Sequence, residues 1–104
     1  MVTSHPRVLI SKRAKSSIKA IYSYLKAEAS DQTALKVKEA IISKCESLST
    51  FSVYSKEIYL EEFPEDFRSV SIWEYIIIYL VTEKEIQVLN IIHAKRHPER
   101  RKDF

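Results

Sequence analysis

The amino-acid sequence predicts an α+β domain, in which a strand and an antiparallel helical hairpin precede a sheet ending in a three-stranded meander. Two stretches between residues 11 and 48 carry apolar side chains at helical spacing, and residues 67–93 carry the alternating or continuous apolar pattern of strands. The breaks between these segments are short. A chain of 104 residues suits one hydrophobic core, so we expect a single domain with flexible ends at residues 1–6 and 101–104.

The first element is a short β-prone segment, Arg7-Val-Leu-Ile10. Pro6 precedes it and cannot donate a ladder hydrogen bond, which is acceptable where a strand begins. Ser11 then fits a helix N-cap, because its side-chain oxygen can accept backbone N–H groups that the first turn leaves unpaired. The sequence therefore predicts a strand that leads directly into a helix.

Two amphipathic helices follow. The first carries an apolar stripe with lysines away from its centre: Ala14, Ile18, Ile21 and Leu25, with Lys12, Lys15, Lys19 and Lys26. The second begins at a cap, Ser30 or Asp31, and has its own stripe: Ala34, Val37, Ile41, Cys45 and Leu48. The short connection forces an antiparallel hairpin. One face of a sheet is the only predicted surface large enough to cover both stripes.

The last third of the chain predicts three consecutive strands. Their patterns are Val70 and Ile72 alternating with Ser69 and Ser71, an apolar run at Tyr75–Val81, and Ile86, Val88 and Asn90 alternating with Gln87, Leu89 and Ile91. Trp73-Glu74 and Glu83-Lys84 provide the two turns, so the strands form an antiparallel meander. Residues 50–65, which include Pro64, are interpreted as a loop with a short extended piece at residues 58–60.

Composition excludes several classes of protein. Glycine is absent, which rules out glycine-dependent phosphate loops and dinucleotide fingerprints. Cys45 is the single cysteine, so no internal disulfide forms, and its helical setting predicts a small core residue. The apolar run at Tyr75–Val81 falls far short of the about 20 residues that span a bilayer, and the N-terminus lacks the apolar region of a signal peptide. We expect a cytoplasmic protein without membrane association.

Positive charge is concentrated at two places although the net charge is only +3. Residues 93–102 form a basic C-terminal turn, and residues 12–15 form a second basic cluster. Such patches suit nucleic acid or an acidic protein partner. A solvated surface without a partner explains them equally well.

The order of elements resembles the RelE/ParE superfamily of bacterial toxin–antitoxin toxins. The similarity spans residues 8–100 and rests on three segments: Phe67-Arg68 opening a strand, the tyrosine-flanked Tyr75-Ile-Ile-Ile-Tyr79, and the ending Ile91-Ile-His-Ala-Lys-Arg-His-Pro98. The last segment is similar to the ParE-type ending, in which an apolar strand runs into histidine, a basic pair and proline. The resemblance implies this superfamily's fold, a cytoplasmic protein antitoxin as partner, and roles such as plasmid stabilisation.

The resemblance implies one of two mechanisms. RelE-like relatives cleave mRNA on the ribosome and often place arginine in the tyrosine-flanked strand, where this chain has Ile76, Ile77 and Ile78. Some also place tyrosine after the terminal histidine, where this chain has Ala94. Cleavage needs groups that move protons and neutralise the phosphate, and the remaining candidates are His93, Arg68, Tyr75 and Arg96. The set looks incomplete, which favours the ParE branch and inhibition of DNA gyrase without hydrolysis of nucleic acid.

Three functions therefore stay open: a ParE-like gyrase inhibitor, a RelE-like endoribonuclease acting on the ribosome and mRNA, and a non-toxic member that only binds its antitoxin. For target binding the candidates are Arg68, His93, Lys95, Arg96 and His97. The antitoxin is expected to bind by helix-in-groove docking or strand addition, with acidic residues that suit this basic chain, in a toxin–antitoxin hetero-oligomer.

Each candidate also has a purely structural interpretation. His93 ends a buried strand and can serve the fold alone, and Arg68 can pair with the acidic residues that precede it. His93 and His97 have zinc-like spacing, but without other clustered ligands we expect no metal site and no cofactor. An exposed Trp73 at a turn is typical of a protein-contact anchor, although it can also cover the edge of the core.

Overall fold

A computed structural model of the chain describes residues 6–52 and 62–95. Six elements follow one another: β1 (Arg7–Ile10), α1 (Lys12–Glu28), α2 (Asp31–Ser47), β2 (Asp66–Ile72), β3 (Tyr75–Val81) and β4 (Glu85–His93). This is the predicted order. The extended piece predicted at residues 58–60, together with Arg96 and His97, lies outside the described residues.

Both helices begin where the sequence places their caps. The Ser11 side chain accepts the backbone N–H of Ala14 at 3.0 Å and starts α1. In α2 the cap is Ser30, whose hydroxyl accepts the N–H of Thr33 at 3.0 Å. Asp31 is then the first helical residue, where a negative charge interacts favourably with the helix dipole. These local signals mark where the two helices begin.

The sheet is mixed, in the order β1-β4-β3-β2. The three C-terminal strands form the predicted antiparallel meander. The sequence left the place of β1 open, and the structure pairs it in parallel with β4, with Ile10 opposite Val88. Since β1 is short, it covers only the first part of β4. The α+β class and the RelE/ParE-like arrangement are confirmed.

The core lies between the hairpin and one face of the sheet. Its buried members come from both helices and from three strands: Ala14, Ile18, Val37, Ile41, Cys45, Leu48, Val70, Tyr75, Ile77, Tyr79, Ile86, Val88 and Ile91. The opposite face of the sheet is also apolar, which the sequence analysis did not anticipate. A second buried cluster there consists of Phe67, Ile76, Ile78 and Ile92. The continuous isoleucine run of β3 thus supplies both faces of the sheet.

A β-bulge interrupts the alternation predicted for β4. Ile78 lies opposite Asn90 and Tyr79 lies opposite Val88, so Leu89 has no partner on β3. The extra residue shifts the later side chains by one position. Ile91 therefore joins Val88 in the main core, rather than lying on the face of Leu89 as the strict alternation predicts.

Candidate functional site

A groove lies between α1 and the end of the meander, and we call it the histidine groove. It has a volume of about 620 Å³. One wall is a flank of α1 and the other is the sheet end: Ser17, Ala20, Ile21, Tyr24 and Leu25 face Glu74, Tyr75, Ile91, His93 and Lys95. The meander therefore delivers His93 and Lys95 to one sheet end, as the sequence predicted.

The short β1 explains why this groove exists. After Ile10 the chain turns into α1, with the Ser11 N–H bonded to Val88 O at 3.0 Å and its hydroxyl to Leu89 O at 2.9 Å. α1 then packs along the rest of β4, where no strand within the described residues pairs with that edge. A helix and a strand cannot approach as closely as two strands, because helix side chains stand between them. The space left is the groove.

Asn90 joins the two walls at the bulge. Its side-chain oxygen accepts the Ser17 hydroxyl at 2.6 Å and the backbone N–H of Ile91 at 2.9 Å. Asn90 is buried, so leaving these groups unpaired would carry a desolvation cost. The pair thus holds α1 against the strand that carries His93.

His93 is held on three sides. Its ring packs edge-to-face on Tyr75, with 5.6 Å between the centroids. Nδ1 accepts the backbone N–H of Lys95 at 3.1 Å, and Nε2 lies 3.5 Å from Glu74 Oε2. The Glu74 carbonyl also accepts the Ala94 N–H at 2.7 Å. The turn after β4 is therefore tied to the turn before β3.

This geometry limits the acid–base chemistry open to His93. A general base needs one free ring nitrogen aimed at the proton that it removes. Here the backbone of Lys95 occupies Nδ1, while Nε2 faces the carboxylate of Glu74. His93 thus acts as a connector that shapes the basic turn, and proton transfer through Nδ1 would first require breaking that turn.

Tyr75 forms part of the same groove. Burial, the nearby carboxylate of Glu74 and the hydroxyl of Tyr24, in that order, raise the pKa of Tyr75 above its usual value. A phenol in this setting stays protonated at neutral pH. It is suited to packing and to donating a hydrogen bond, not to removing a proton.

Arg68 lies apart from His93. Arg68 is opposite Tyr79, whereas His93 is opposite Tyr75 at the other end of β3. Four residues along a strand correspond to about 13 Å. The guanidinium of Arg68 is bound locally, with Nε 3.0 Å from Asp66 Oδ1 and 3.2 Å from Oδ2. This contact agrees with the interpretation that Arg68 pairs with the acidic residues that precede it.

Trp73 occupies the turn between β2 and β3, and 58% of its surface is exposed. Its φ of 50° is left-handed, a strained conformation for a bulky residue. Lys36 of α2 lies over the indole, with Nζ 5.9 Å from the ring centroid. The turn therefore holds an aromatic side chain outward at the sheet end that carries His93. Of the two interpretations of Trp73, this exposure agrees with the contact anchor.

A second groove, which the sequence analysis did not identify, lies on the other flank of α1. We call it the lysine groove. It has a volume of about 530 Å³ and is lined by both helices and the end of β1: Ile10, Lys15, Ile18, Lys19, Tyr22, Ser23, Lys38 and Ile42. The available signal was the spacing of Lys15, Ile18, Lys19 and Tyr22, which places lysines beside apolar residues on one flank.

Cys45 is fully buried, and burial, followed by the neighbouring Glu46, raises the pKa of its thiol to about 12. A thiol without thiolate character is not a nucleophile. Within residues 6–52 and 62–95 no three His, Cys, Asp or Glu side chains gather where they could share a metal ion. Neither described helix has the length and apolar character needed to cross a bilayer.

A family model and a solved structure match this chain. The model of the family described as ParE toxin of type II toxin-antitoxin system, parDE, matches residues 8–98. Among solved structures, a chain of a chromosomal ParDE TA system from P. aeruginosa superposes with a TM-score of 0.76 and 21% identity. The match covers 89% of this chain and 100% of that one, which establishes the same fold. No curated protein sequence gives a significant match.

Proposed function

Because this chain belongs to the ParE toxin family of type II toxin–antitoxin systems, we propose that it inhibits DNA gyrase by protein contact and that a cognate antitoxin neutralises it. Membership of such a family implies a protein antitoxin as partner. The specific target and the mode of neutralisation are the parts that we propose. We also propose that the protein acts in the cytoplasm, where gyrase is found, and that toxin and antitoxin form a hetero-oligomer.

The separation of Arg68 from Tyr75 and His93 carries this proposal. Cleavage of RNA requires a base, an acid and a cation within reach of one phosphate. Arg68 lies about 13 Å along β3 from the position of Tyr75 and His93. Both ring nitrogens of His93 face partners within the protein. The distance of Arg68 from the other two candidates, together with the engaged imidazole of His93, supports inhibition by contact over a ribosome-dependent endoribonuclease.

The sheet end supplies a surface suited to binding a protein. Trp73 is exposed and His93 and Lys95 lie at the same end, on turns linked through Glu74. Exposed tryptophans and cations on a rigid support are typical of residues that dominate binding energy. We propose this sheet end as the gyrase-contacting surface, with the predicted candidates Arg96 and His97 extending it along the chain. We leave Arg68 out of this proposed surface, because its guanidinium is engaged with Asp66 toward the other end of β3.

The proposal is tested with purified components. Antitoxin-free protein is added to a gyrase supercoiling assay and, in parallel, to ribosomes programmed with mRNA. We expect loss of supercoiling and intact mRNA. Cuts at defined codons with normal supercoiling would establish the endoribonuclease instead, and no effect in either assay would leave a member that only binds its antitoxin.

Trp73 provides a direct readout of the proposed surface, because it is the only tryptophan in the sequence. When gyrase buries the exposed indole, the fluorescence of Trp73 should shift to shorter wavelength. The measurement uses a gyrase fragment without tryptophan, so that the fluorescence comes from Trp73 alone. Trp73→Ala should weaken inhibition, while Leu9→Ala, an exposed hydrophobic side chain on β1 away from this sheet end, serves as the control. An unchanged inhibition constant in Trp73→Ala would exclude this turn from the contact.

A further inference from the structure

Two phenol hydroxyls in the histidine groove have no hydrogen-bond partner within residues 6–52 and 62–95. They belong to Tyr24 on α1, which is 64% exposed, and to Tyr75 at the start of β3, of which only 8% is exposed. Buried polar groups in proteins nearly always make a hydrogen bond, either within the protein or to something bound to it. The hydroxyl of Tyr75 therefore marks a position in the groove where the acceptor atom of a ligand would be stabilised.

The other polar side chains deeper in the groove are already engaged. The Ser17 hydroxyl donates to Asn90 at 2.6 Å, and Nδ1 of His93 accepts the Lys95 N–H at 3.1 Å. Burial, followed by the carboxylate of Glu74 and the hydroxyl of the other tyrosine, raises the pKa of the phenol on β3, which keeps it a donor at neutral pH. The two phenols are thus the donors that the groove offers to a ligand.

Charge and apolar lining determine which ligand suits these donors. The charges of Lys95 and Glu74 offset each other along the groove. A phosphate or carboxylate bound to Tyr75 would be repelled by Glu74, whereas an uncharged carbonyl oxygen would not. The apolar side chains of the lining are Ile21, Leu25 and Ile91. An acceptor without charge beside an aliphatic group is the chemistry of a peptide, not of a nucleic acid, whose phosphates need uncompensated cations.

We infer that the histidine groove binds an uncharged peptide segment of gyrase, whose carbonyl oxygen accepts hydrogen bonds from Tyr24 and Tyr75 and whose apolar side chain enters between α1 and β4. The inference rests on the proposed function for the identity of the target. The groove is continuous with the proposed contact surface, because His93 and Lys95 belong to both. Its volume of about 620 Å³ is within the range of about 300–1,000 Å³ that is usual for ligand sites.

Both walls of the groove are held in place before a ligand binds. The hydrogen bond from Ser17 to Asn90 joins α1 to β4, and the carbonyl of Glu74 accepts the Ala94 N–H at 2.7 Å. A site that is already ordered loses little conformational entropy on binding. The peptide can therefore gain affinity from two hydroxyls and a small apolar contact.

The test removes single oxygen atoms. Tyr75→Phe and Tyr24→Phe each delete a hydroxyl that has no partner among the described residues, so the melting temperature at neutral pH should stay close to that of the parent. Tyr22→Phe is the matched control, because it makes the same change on the other flank of α1. The probe is intact gyrase in a supercoiling assay, which gives an inhibition constant for each variant.

We expect Tyr75→Phe to raise the inhibition constant about tenfold, because the carbonyl of the bound segment is left buried without its donor. Tyr24→Phe should raise it about threefold, since water can replace an exposed donor. The Tyr22→Phe control should stay within about twofold of the parent. Equal inhibition constants for Tyr75→Phe and Tyr22→Phe would overturn the inference and show that water alone occupies the groove. Weaker antitoxin binding by Tyr75→Phe, with an unchanged inhibition constant, would assign the groove to the antitoxin instead.

Crosslinking and growth assays separate this inference from the choice of target. A photoreactive benzoylphenylalanine in place of Ala20, which lines the groove, should crosslink to gyrase or abolish inhibition. The same group in place of Ser16, exposed on α1 but outside the groove, should do neither, and reversed results would overturn the inference. If the parent leaves supercoiling unaffected, growth inhibition on induction decides. Lower toxicity of Tyr75→Phe than of Tyr22→Phe would then disprove only the proposed target, whereas equal toxicity would overturn the role of the groove.

Discussion

The two flanks of α1 share one geometry and differ in chemistry. Offsets of 0, 3, 4, 7 and 8 residues describe both, counted from Lys15 on the lysine groove and from Ser17 on the histidine groove. On the first flank the facing element is α2, and the charged side chains that line the groove are Lys15, Lys19 and Lys38. On the second it is the end of the sheet, and the lining includes Glu74, Tyr75 and His93. One helix thus presents two surfaces suited to different partners.

The two flanks differ in how their polar side chains are bonded. On the histidine flank the polar groups are bonded to one another: Asn90 to Ser17, and His93 to the Lys95 backbone and near Glu74. On the lysine flank, Lys38 and Lys26 lie over the Tyr22 ring, and no acidic residue is among the described residues that line the groove. The first surface is rigid without a partner. The lysine flank gains more from a bound partner, because negative charge on that partner would offset the charge of its lysines.

A substitution in the core beneath both flanks of α1 should have the largest effect on stability. Ile41 is fully buried in the core between the hairpin and the sheet. Ile41→Ala should lower the free energy of unfolding by about 2–5 kcal/mol, since the lost contacts leave a cavity. Urea denaturation measures it, with Leu35→Ala on the exposed side of α2 as control. A loss near zero would mean that α2 does not support the grooves as described.

Breaking the polar link should affect the histidine flank alone. Asn90→Ala leaves the Ser17 hydroxyl and the Ile91 N–H without their acceptor, so we expect a loss of about 1–3 kcal/mol. In a double-mutant cycle with Ser17→Ala, the two losses should be less than additive. Additive losses would show that the two side chains act independently.

Much of this fold follows from local signals in the sequence. The Ser11 cap, the stripe from Ala14 to Leu25 and the meander each depend on residues close in the chain, and the structure confirms them. The pairing of β1 with β4 joins residues nearly eighty positions apart. No local pattern specifies such a contact. The bulge at Leu89 was also hidden, because an apolar residue there fits either face of the sheet.

The candidate site was predictable in part, for the same reason. His93 and Lys95 follow one strand, so their common location could be read from the sequence. Arg68 was grouped with them on family resemblance, and the register of β3 places it at the opposite end. The lysine groove needs two helices and a strand end to form, and single-helix periodicity described its lysines only as exposed. Contacts between elements therefore account for most of what the sequence did not reveal.

High pH should also lower the free energy of unfolding, through Tyr75 on the histidine flank, and by less than the two substitutions above. Folding raises the pKa of Tyr75, so its protonated form contributes stability that is present below the usual tyrosine pKa near 10 and is lost as pH rises through the folded value. The free energy of unfolding, measured in urea between pH 9 and 11, should fall more steeply for the parent than for Tyr75→Phe. Identical slopes would show that Tyr75 ionises as freely in the folded protein as in the unfolded chain.

The basic turn should matter least to stability and most to toxicity. Lys95 is exposed, and its contact with His93 uses only the backbone N–H, so truncating its side chain leaves that hydrogen bond intact. Lys95→Ala with Arg96→Ala should change the free energy of unfolding by less than about 0.5 kcal/mol. Growth inhibition on induction should fall more than antitoxin affinity, because the two cations belong to the proposed gyrase-contacting surface. Full toxicity in the Lys95, Arg96 double variant, with an unchanged melting curve, would remove the turn from the gyrase surface and leave its charge as a solubilising feature only.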